Sequence, residues 1–367
     1  MKLKKLLGLY SLNWNQIKQT WNFNRFFMLL NRRLRVSDAG LTENLGERRG
    51  PTEWALSSRV YRPWHRSSRR WGTEFSPDVL VVAQHGRFGN MIRQVSLAIA
   101  TAEKLGIREV LVKSLPEFPK GTWVLDNGVS LTHDSLLRPR MIARPSLALG
   151  GDFFVKPRLP VEVDDVDFDV IGRSLSEIVG LQSRGGAGED SLVIHFRSGD
   201  AFSGSPHGAL GQPPLSFYEK VIAHEKPKAI VLVYEDQANP VISKVLSLIE
   251  SLGIPYSVSS GGFRDDLEVL IGAKNLVTAH GTLAEAVLLL SPSIQRWISF
   301  GKNPHLYFRR RALASTVSVF DPSEQYSQAI LRGNWRNSPE QQQLMMEFGA
   351  EKLELQDSRH SGDNLLS

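Results

Sequence analysis

Residues 192–200 read LVIHFRSGD, an apolar run that ends in polar residues and a glycine. A continuous apolar run of this length is typical of a parallel strand that is covered on both faces. His195 and Arg197 are two residues apart, so their side chains point to the same side of the strand. An arginine at the carboxyl end of such a strand can hold a diphosphate with two parallel N–H bonds, which a lysine cannot do. Two structural alternatives stay open: an ion pair between Arg197 and Asp200, and a hydrogen-bonded core position for His195.

The rest of the sequence alternates short apolar runs with helix-length segments of period 3 to 4, which is the pattern of βαβ units. A glycine-rich stretch at 182–190 separates two such α/β halves. We therefore expect four parts: a basic arm at 1–75, an N-terminal domain at 76–183, a C-terminal domain at 184–333 and a polar, partly disordered tail at 334–367. Strands are predicted at 79–83, 109–112, 192–196, 229–234, 256–258, 275–279 and 296–300.

The composition excludes several classes of function. The 367 residues include no cysteine, so thiolate nucleophiles, cysteine-bound zinc, iron–sulfur clusters and disulfides are ruled out. No run of 18 apolar residues occurs, and the short apolar start at 6–10 does not have the form of a signal peptide. We therefore expect a cytoplasmic protein.

The positive charge of the chain is concentrated in the basic arm. Residues 1–75 carry 15 lysines and arginines against 5 acidic residues, together with five of the eight tryptophans. Three interpretations stay open for this arm. It folds over the body of the protein, it associates peripherally with an anionic membrane, or, least favoured, it binds nucleic acid.

Two further segments place small polar residues after a predicted strand. The first, Gly86-Arg87-Phe88-Gly89-Asn90, puts a glycine turn and a helix N-terminus where α/β proteins bind ligands, although a plain tight turn is the alternative. The second, at 265–282, begins with two aspartates and ends with hydroxyl and backbone groups able to bond phosphate, although helix-cap chemistry is the alternative. A loop at 201–215 is long enough to cover a substrate.

Together these segments resemble the fucosyltransferase superfamily, which includes the protein O-fucosyltransferases and the bacterial α-1,2-fucosyltransferases. Residues 86–90 are similar to the N-terminal glycine motif of the first group, and with Gln94 they match the G-x-x-G-N-x-x-x-Q pattern of the second. Residues 195–200 are similar to the H-x-R-x-G-D motif, whose arginine binds the β-phosphate of GDP-fucose. Residues 265–282 are similar to the region that holds the guanosine and the phosphates.

The resemblance covers residues 78–302 and implies a GT-B-like fold, in which two Rossmann-like domains face each other across a cleft. It also implies an inverting, metal-independent glycosyltransferase without a cofactor, which moves fucose from GDP-fucose to a hydroxyl of a glycan or other acceptor. The implied catalytic residues are Arg197, Asp200 and Arg87. The implied donor-binding residues are Gly86, Phe88, Gly89, Asn90, His195, Asp265, Asp266, Thr278, Gly281 and Thr282.

The sequence leaves the general base undetermined. Asp200, Glu235, Asp236 and His85 all lie near predicted strand ends, and no spacing selects one of them.

The sequence also leaves alternatives to this function. Asp165 and Asp167 have the D-x-D spacing that holds a divalent metal in another glycosyltransferase fold. They follow no buried strand, so we interpret them as a solvated approach to a helix beginning near Arg173. A different donor or a pyruvyl-type transfer on the same scaffold, and a non-catalytic glycan- or nucleotide-binding protein, remain as alternatives.

Overall fold

The computed structural model describes residues 79–82, 86–113, 115–133, 148–151, 153–154, 159, 161–182, 188–259, 261–301 and 315–359. The basic arm at 1–75, with its membrane and nucleic-acid interpretations, lies outside these residues, and so does His85. Among the described helices, none is long and apolar enough to cross a membrane.

Among its described residues, the first domain contains a five-stranded sheet and two α-helices. In the strand order β3-β4-β2-β1-β5, all neighbours are parallel except the antiparallel pair of β3 and β4. The long helix α1 buries Met91, Val95 and Ala98 and is capped at its C-terminus by Gly106, whose φ of 67° is in the left-handed region. The elements are β1 (Val79–Val82), α1 (Phe88–Leu105), β2 (Glu109–Val112), β3 (Gly121–Val124), β4 (Ser130–His133), β5 (Ala148–Gly151) and α2 (Phe168–Val179).

The described part of the second domain contains a seven-stranded sheet and five α-helices. In the order β12-β11-β10-β9-β6-β7-β8, every pair is parallel except β11 with β12. The elements are β6 (Ser191–His195), α3 (Leu215–Glu225), β7 (Ala229–Val233), α4 (Pro240–Ser251), β8 (Tyr256–Ser259), α5 (Phe263–Gly272), β9 (Asn275–Thr278), α6 (Thr282–Leu290), β10 (Arg296–Phe300), β11 (Ser315–Phe320), α7 (Pro339–Glu347) and β12 (Glu354–Arg359).

The strand order of the second sheet reverses at β6. The chain runs outward from β6 through β7 to β8, and it then returns to add β9 on the other side of β6. The two loops that leave the carboxyl ends of β6 and β9 therefore diverge and open a crevice between them. Such a reversal is where open α/β sheets bind their ligands.

Helix α6 belongs to the second domain by sequence but packs against both helices of the first. An added Cβ on Gly89 of α1 would lie 2.7 Å from the backbone of Leu283, and one on Gly172 of α2 would lie 2.1 Å from the Leu289 carbonyl oxygen. Only glycine allows backbones to approach this closely. Because α6 is apolar almost throughout, this contact joins the two domains through one continuous core.

The segment that begins at residue 334 completes the second domain. Trp335 is fully buried, and its indole nitrogen Nε1 donates a hydrogen bond of 2.6 Å to the Ala201 carbonyl oxygen. Met345 and Phe348 are buried as well, and β12 adds a strand to the sheet edge. The expectation of a partly disordered tail is therefore wrong for residues 334–359, because widely spaced apolar residues anchor this polar segment; residues 360–367 lie outside the described part.

The predicted architecture of two mainly parallel α/β sheets is confirmed. Each predicted strand is present, with both ends within one residue of the prediction. The boundary between residues 183 and 184 stays a prediction, since residues 183–187 lie outside the described part.

Candidate functional site

A cleft of about 2010 Å³ lies at the carboxyl ends of the central strands of the second sheet and is closed on one side by the first domain. It includes the crevice between the loops that follow β6 and β9. Of the thirteen residues predicted for the site, all line this cleft except Asp265. The folding of the chain thus brings the three sequence segments together.

Arg197 extends from the end of β6 into the cleft and is held from several sides. Its Nη2 atom donates hydrogen bonds of 3.0 and 3.1 Å to the two carboxylate oxygens of Asp200. Its carbonyl oxygen accepts a hydrogen bond of 3.1 Å from the side-chain amide of Asn239. Its buried Nε finds no hydrogen-bond partner among the described residues. A guanidinium that lines the cleft and is fixed by one carboxylate is ready to bind an anion there.

The loop after β6 is fixed by Asp236, which follows β7. One oxygen of this carboxylate accepts hydrogen bonds from the Ser198 hydroxyl and from the backbone N–H groups of Gly199, at 3.2 Å, and Ala238, at 2.9 Å. These bonds lower the pKa of Asp236, and the bond from Ser198 has the largest effect. Asp236 therefore holds the loop that carries Arg197 and Asp200, and it is a poor candidate for the general base.

The N-termini of α1 and α6 meet in the cleft, and neither is capped by a side chain. The Thr282 hydroxyl donates a hydrogen bond of 2.6 Å to the side-chain oxygen of Asn90, so the two helices are joined at their first turns. Gly281 has a φ of 149°, and an added Cβ there would lie 3.1 Å from Nη1 of Arg197. The positive ends of two helix dipoles therefore lie beside the guanidinium, which favours a negatively charged ligand.

Arg87 approaches the same carboxylate from the first domain. Its Nη2 lies 3.8 Å from Oδ2 of Asp200, and its side chain is 72% exposed. The turn before it needs glycine at position 86, because φ is 67° and an added Cβ would collide with the Asn90 amide. The neighbouring Phe88 is buried against Phe263 of α5, with 5.4 Å between the ring centroids.

Two histidines in the cleft are held in the neutral form. Burial, together with the charge of Arg197, lowers the pKa of His195 to about 4. Burial also lowers the pKa of His280, whose Nδ1 lies 3.4 Å from the Gly211 carbonyl oxygen. Neutral imidazoles add no charge beside Arg197, and they can still donate or accept a hydrogen bond.

The third predicted segment contributes Asp266 and Thr278. The Asp266 carboxylate accepts a hydrogen bond of 2.6 Å from Ser259, and burial raises its pKa. The Thr278 hydroxyl accepts one of 2.9 Å from the Trp297 indole and keeps its own proton to donate. Asp265 does not line the cleft, because its carboxylate lies against Gly261.

The structure adds an ion pair that the sequence analysis missed. Arg93 of α1 and Glu285 of α6 line the cleft, with 3.2 Å between Nε and Oε2. The Arg93 guanidinium also lies over the Phe154 ring, 4.4 Å from its centroid. Burial raises the pKa of Glu285 to about 7, although Arg93 opposes the shift. The sequence feature that could have revealed this ion pair is a single carboxylate inside the otherwise apolar helix α6, together with an arginine on an apolar face of α1.

The D-x-D segment lies away from the cleft. Asp165 forms an ion pair of 2.6 Å with Lys104. Asp167 caps α2 by accepting hydrogen bonds from the backbone N–H groups of Asp169 and Val170, at 3.0 and 3.4 Å. The helix therefore begins at Phe168, five residues before the expected start near Arg173, because an aspartate N-cap was not recognised in the acidic run.

No protein-family model matches the sequence, and no curated protein matches it. Among solved structures, the chain is similar to POFUT1 in complex with GDP, with a TM-score of 0.38 and 11% identity over 62% of this chain and 99% of that one. It is also similar to the E. coli heptosyltransferase WaaC with ADP, with a TM-score of 0.39 and 12% identity over 72% and 98% of the two chains. A mutant of Arabidopsis thaliana FUT1 in complex with GDP gives a TM-score of 0.39 and 14% identity over 76% and 80%. The structures to which this chain is similar are thus glycosyltransferases, and they include fucosyltransferases.

Proposed function

We propose that the protein transfers a sugar from a nucleotide-sugar, GDP-fucose, to a hydroxyl of a glycan or other acceptor, with inversion at the anomeric carbon. The observation that carries the proposal is the burial of the Arg197 side chain and its contact with Asp200. Its side chain is 22% exposed, it is fixed by Asp200, and its Nε lies buried without a partner among the described residues. A guanidinium that is fixed before binding and lines the cleft can bind a phosphate without a further loss of side-chain freedom.

The diphosphate of such a donor fits the charges around Arg197. As the bond between the sugar and the β-phosphate breaks, negative charge develops on the departing diphosphate, and fixed donors directed at that charge accelerate the step. Arg197 supplies a planar fork, and the uncapped N-termini of α1 and α6 add backbone N–H groups beside it. Arg87 reaches the same region from the first domain.

The preference for GDP-fucose rests on the H-x-R-x-G-D resemblance of residues 195–200. The neutral His195 and the carboxyl of Asp266 line the cleft and can bond a purine base and a ribose. We assign no role to a metal, because guanidinium groups and helix N-termini meet the charge of the diphosphate in this proposal.

Release of GDP from GDP-fucose tests the proposal, measured with and without a mixture of glycan acceptors and in the presence of EDTA. We expect release without an acceptor to be slow, acceptors to raise it, and EDTA to leave it unchanged. A panel of ADP-linked, UDP-linked and other GDP-linked sugars serves as the control for donor identity.

Three results would contradict parts of the proposal. If only another donor is turned over, the assignment of fucose is wrong. If EDTA abolishes turnover and manganese restores it, the assignment of a metal-independent reaction is wrong. Binding of GDP-fucose with no turnover under any condition would favour a non-catalytic binding protein.

A further inference from the structure

Glu285 lies in the first turn of α6, beside the proposed phosphate site. The residues that follow it in this helix are alanine, valine and leucine. Residues three apart in a helix are neighbours on its surface, so Glu285 lies next to Thr282. Thr282 in turn contacts Asn90 of the first domain. The Glu285 carboxylate therefore lines the cleft where the two domains meet.

The surroundings of Glu285 stabilise its charge poorly. Its side chain is 16% exposed, and its Oε2 atom has no hydrogen-bond partner among the described residues. One cation, Arg93, lies at 3.2 Å. A buried carboxylate with a single charged neighbour and no hydrogen bond on that oxygen gains stability by taking up a proton. The pKa of about 7, which burial causes, agrees with this geometry.

The other acidic residues of the cleft are already engaged or are exposed to solvent. Asp200 pairs with Arg197. Asp236, which lies next to the cleft but does not line it, accepts two hydrogen bonds from the loop after β6 and one from the backbone N–H of Ala238. Asp266 accepts from Ser259, and Asp321 caps its own turn by accepting from residues 323 and 326. The exposed acids are Glu117, Glu235 and Glu324. Among the described acids of the cleft, Glu285 thus combines burial with an unused oxygen.

We propose that Glu285 is the general base of the transfer reaction, an inference that rests on the proposed function. The acceptor oxygen forms its bond to the anomeric carbon while the bond from that carbon to the β-phosphate oxygen breaks. The electron pair of the broken bond stays on the diphosphate beside Arg197. The proton of the acceptor hydroxyl passes to a carboxylate oxygen of Glu285, whose ionised form Arg93 favours against the effect of burial.

The charges that face Glu285 determine how the rate depends on pH. Arg93 of α1 is its ion-pair partner, while Arg197 and Asp200 of the β6 loop and Glu117 after β2 line the same cleft. A base must be ionised to accept a proton, so the rate should fall as the pH drops below about 7. Removing the positive charge of Arg93 should raise the pKa of Glu285 and move this fall to higher pH.

The test compares Glu285→Gln with the wild-type protein for transfer from GDP-fucose across pH 5 to 9. We expect kcat to fall on the order of 100- to 10,000-fold and the acidic fall of the rate to disappear, while the Kd for GDP stays unchanged. The matched control is Glu268→Gln, because Glu268 is a buried acid of α5 paired with Arg264 and lies outside the cleft. The control should keep both turnover and the pH profile.

A second variant, Arg93→Gln, should move the acidic fall to higher pH in the active protein. If Glu285→Gln does not fold, this shift of the pH profile tests whether Glu285 is the general base. Normal turnover of a folded Glu285→Gln protein, or an unshifted profile of Arg93→Gln, would overturn the assignment of the base and leave the proposed function standing. A wild-type protein that turns over no nucleotide-sugar would overturn both.

Discussion

The two sides of the cleft each present an arginine to the same carboxylate, but they hold it differently. On the second domain, Arg197 is 22% exposed and donates two hydrogen bonds of 3.0 and 3.1 Å to Asp200. On the first domain, Arg87 is 72% exposed and lies 3.8 Å from the same residue. One guanidinium is ordered by its surroundings, and the other has a single long contact.

This difference separates the tasks of the two domains. Ordering a free arginine side chain costs up to about 2 kcal/mol in conformational entropy, so Arg87 would lose this freedom when a ligand binds. Arg197 has already lost it in folding, with Asp236 and Asn239 fixing the loop beneath it. We infer that the second domain supplies a preorganised phosphate site, and that the first domain adds Arg87 once the donor is bound.

The largest effect is expected for Arg197→Lys, which keeps the charge and removes the planar fork. Loss of a preorganised donor to the departing diphosphate should reduce turnover about 100-fold or more while the melting temperature changes little. Arg197→Ala should be at least as damaging. If Arg197 served only as half of an ion pair, the lysine variant would cost within about 1 kcal/mol of stability and keep near-normal turnover.

Arg87→Lys is the matched substitution on the other side of the cleft. Because Arg87 is exposed and loosely paired, a lysine can occupy much of the same space, and we expect a loss of less than about tenfold in kcat/KM. Steady-state kinetics of the two lysine variants under identical conditions measure the difference between the domains. Equal losses for the two variants would remove the distinction drawn here.

The smallest effect is expected for His195→Gln and concerns stability. The folded-state pKa of about 4 lies below the ordinary value of 6.5, so neutral His195 contributes stability above pH 6.5 that is lost as the pH falls through 4. Between pH 7 and pH 4, the free energy of unfolding of the wild-type protein should fall by up to about 3 kcal/mol more than that of the variant. Denaturant unfolding at both pH values checks this, and parallel losses would contradict it.

The elements that could be predicted from the sequence are those with a continuous apolar run or a helical period. The strands β1, β6 and β7 are of this kind. The short strand β3 was missed because its positions are half-buried or exposed throughout, so that it reads as a loop. The ordered structure of residues 334–359 was missed because Trp335, Met345 and Leu353 lie too far apart to form a pattern, although each is buried.

The sequence predicts those parts of the candidate site that lie within contiguous motifs. Residues 86–90 and 195–200 are contiguous segments at strand ends, so their chemistry is visible in the sequence. The pair of Arg93 and Glu285 is 192 positions apart and exists only because α1 packs against α6. A contact of this kind depends on packing between domains, and no local pattern encodes it.

The most direct test of the account is a crystal structure of the protein with GDP bound. We expect the β-phosphate within about 2.7 to 3.2 Å of Nη1 of Arg197, since Nη2 is bonded to Asp200 and Nε is covered by protein atoms. The N-terminus of α6 should contact the same phosphate, and Arg87 should be better ordered than in the unliganded protein. A diphosphate bound away from Arg197, or held by a metal ion at Asp165 and Asp167, would contradict the central claim.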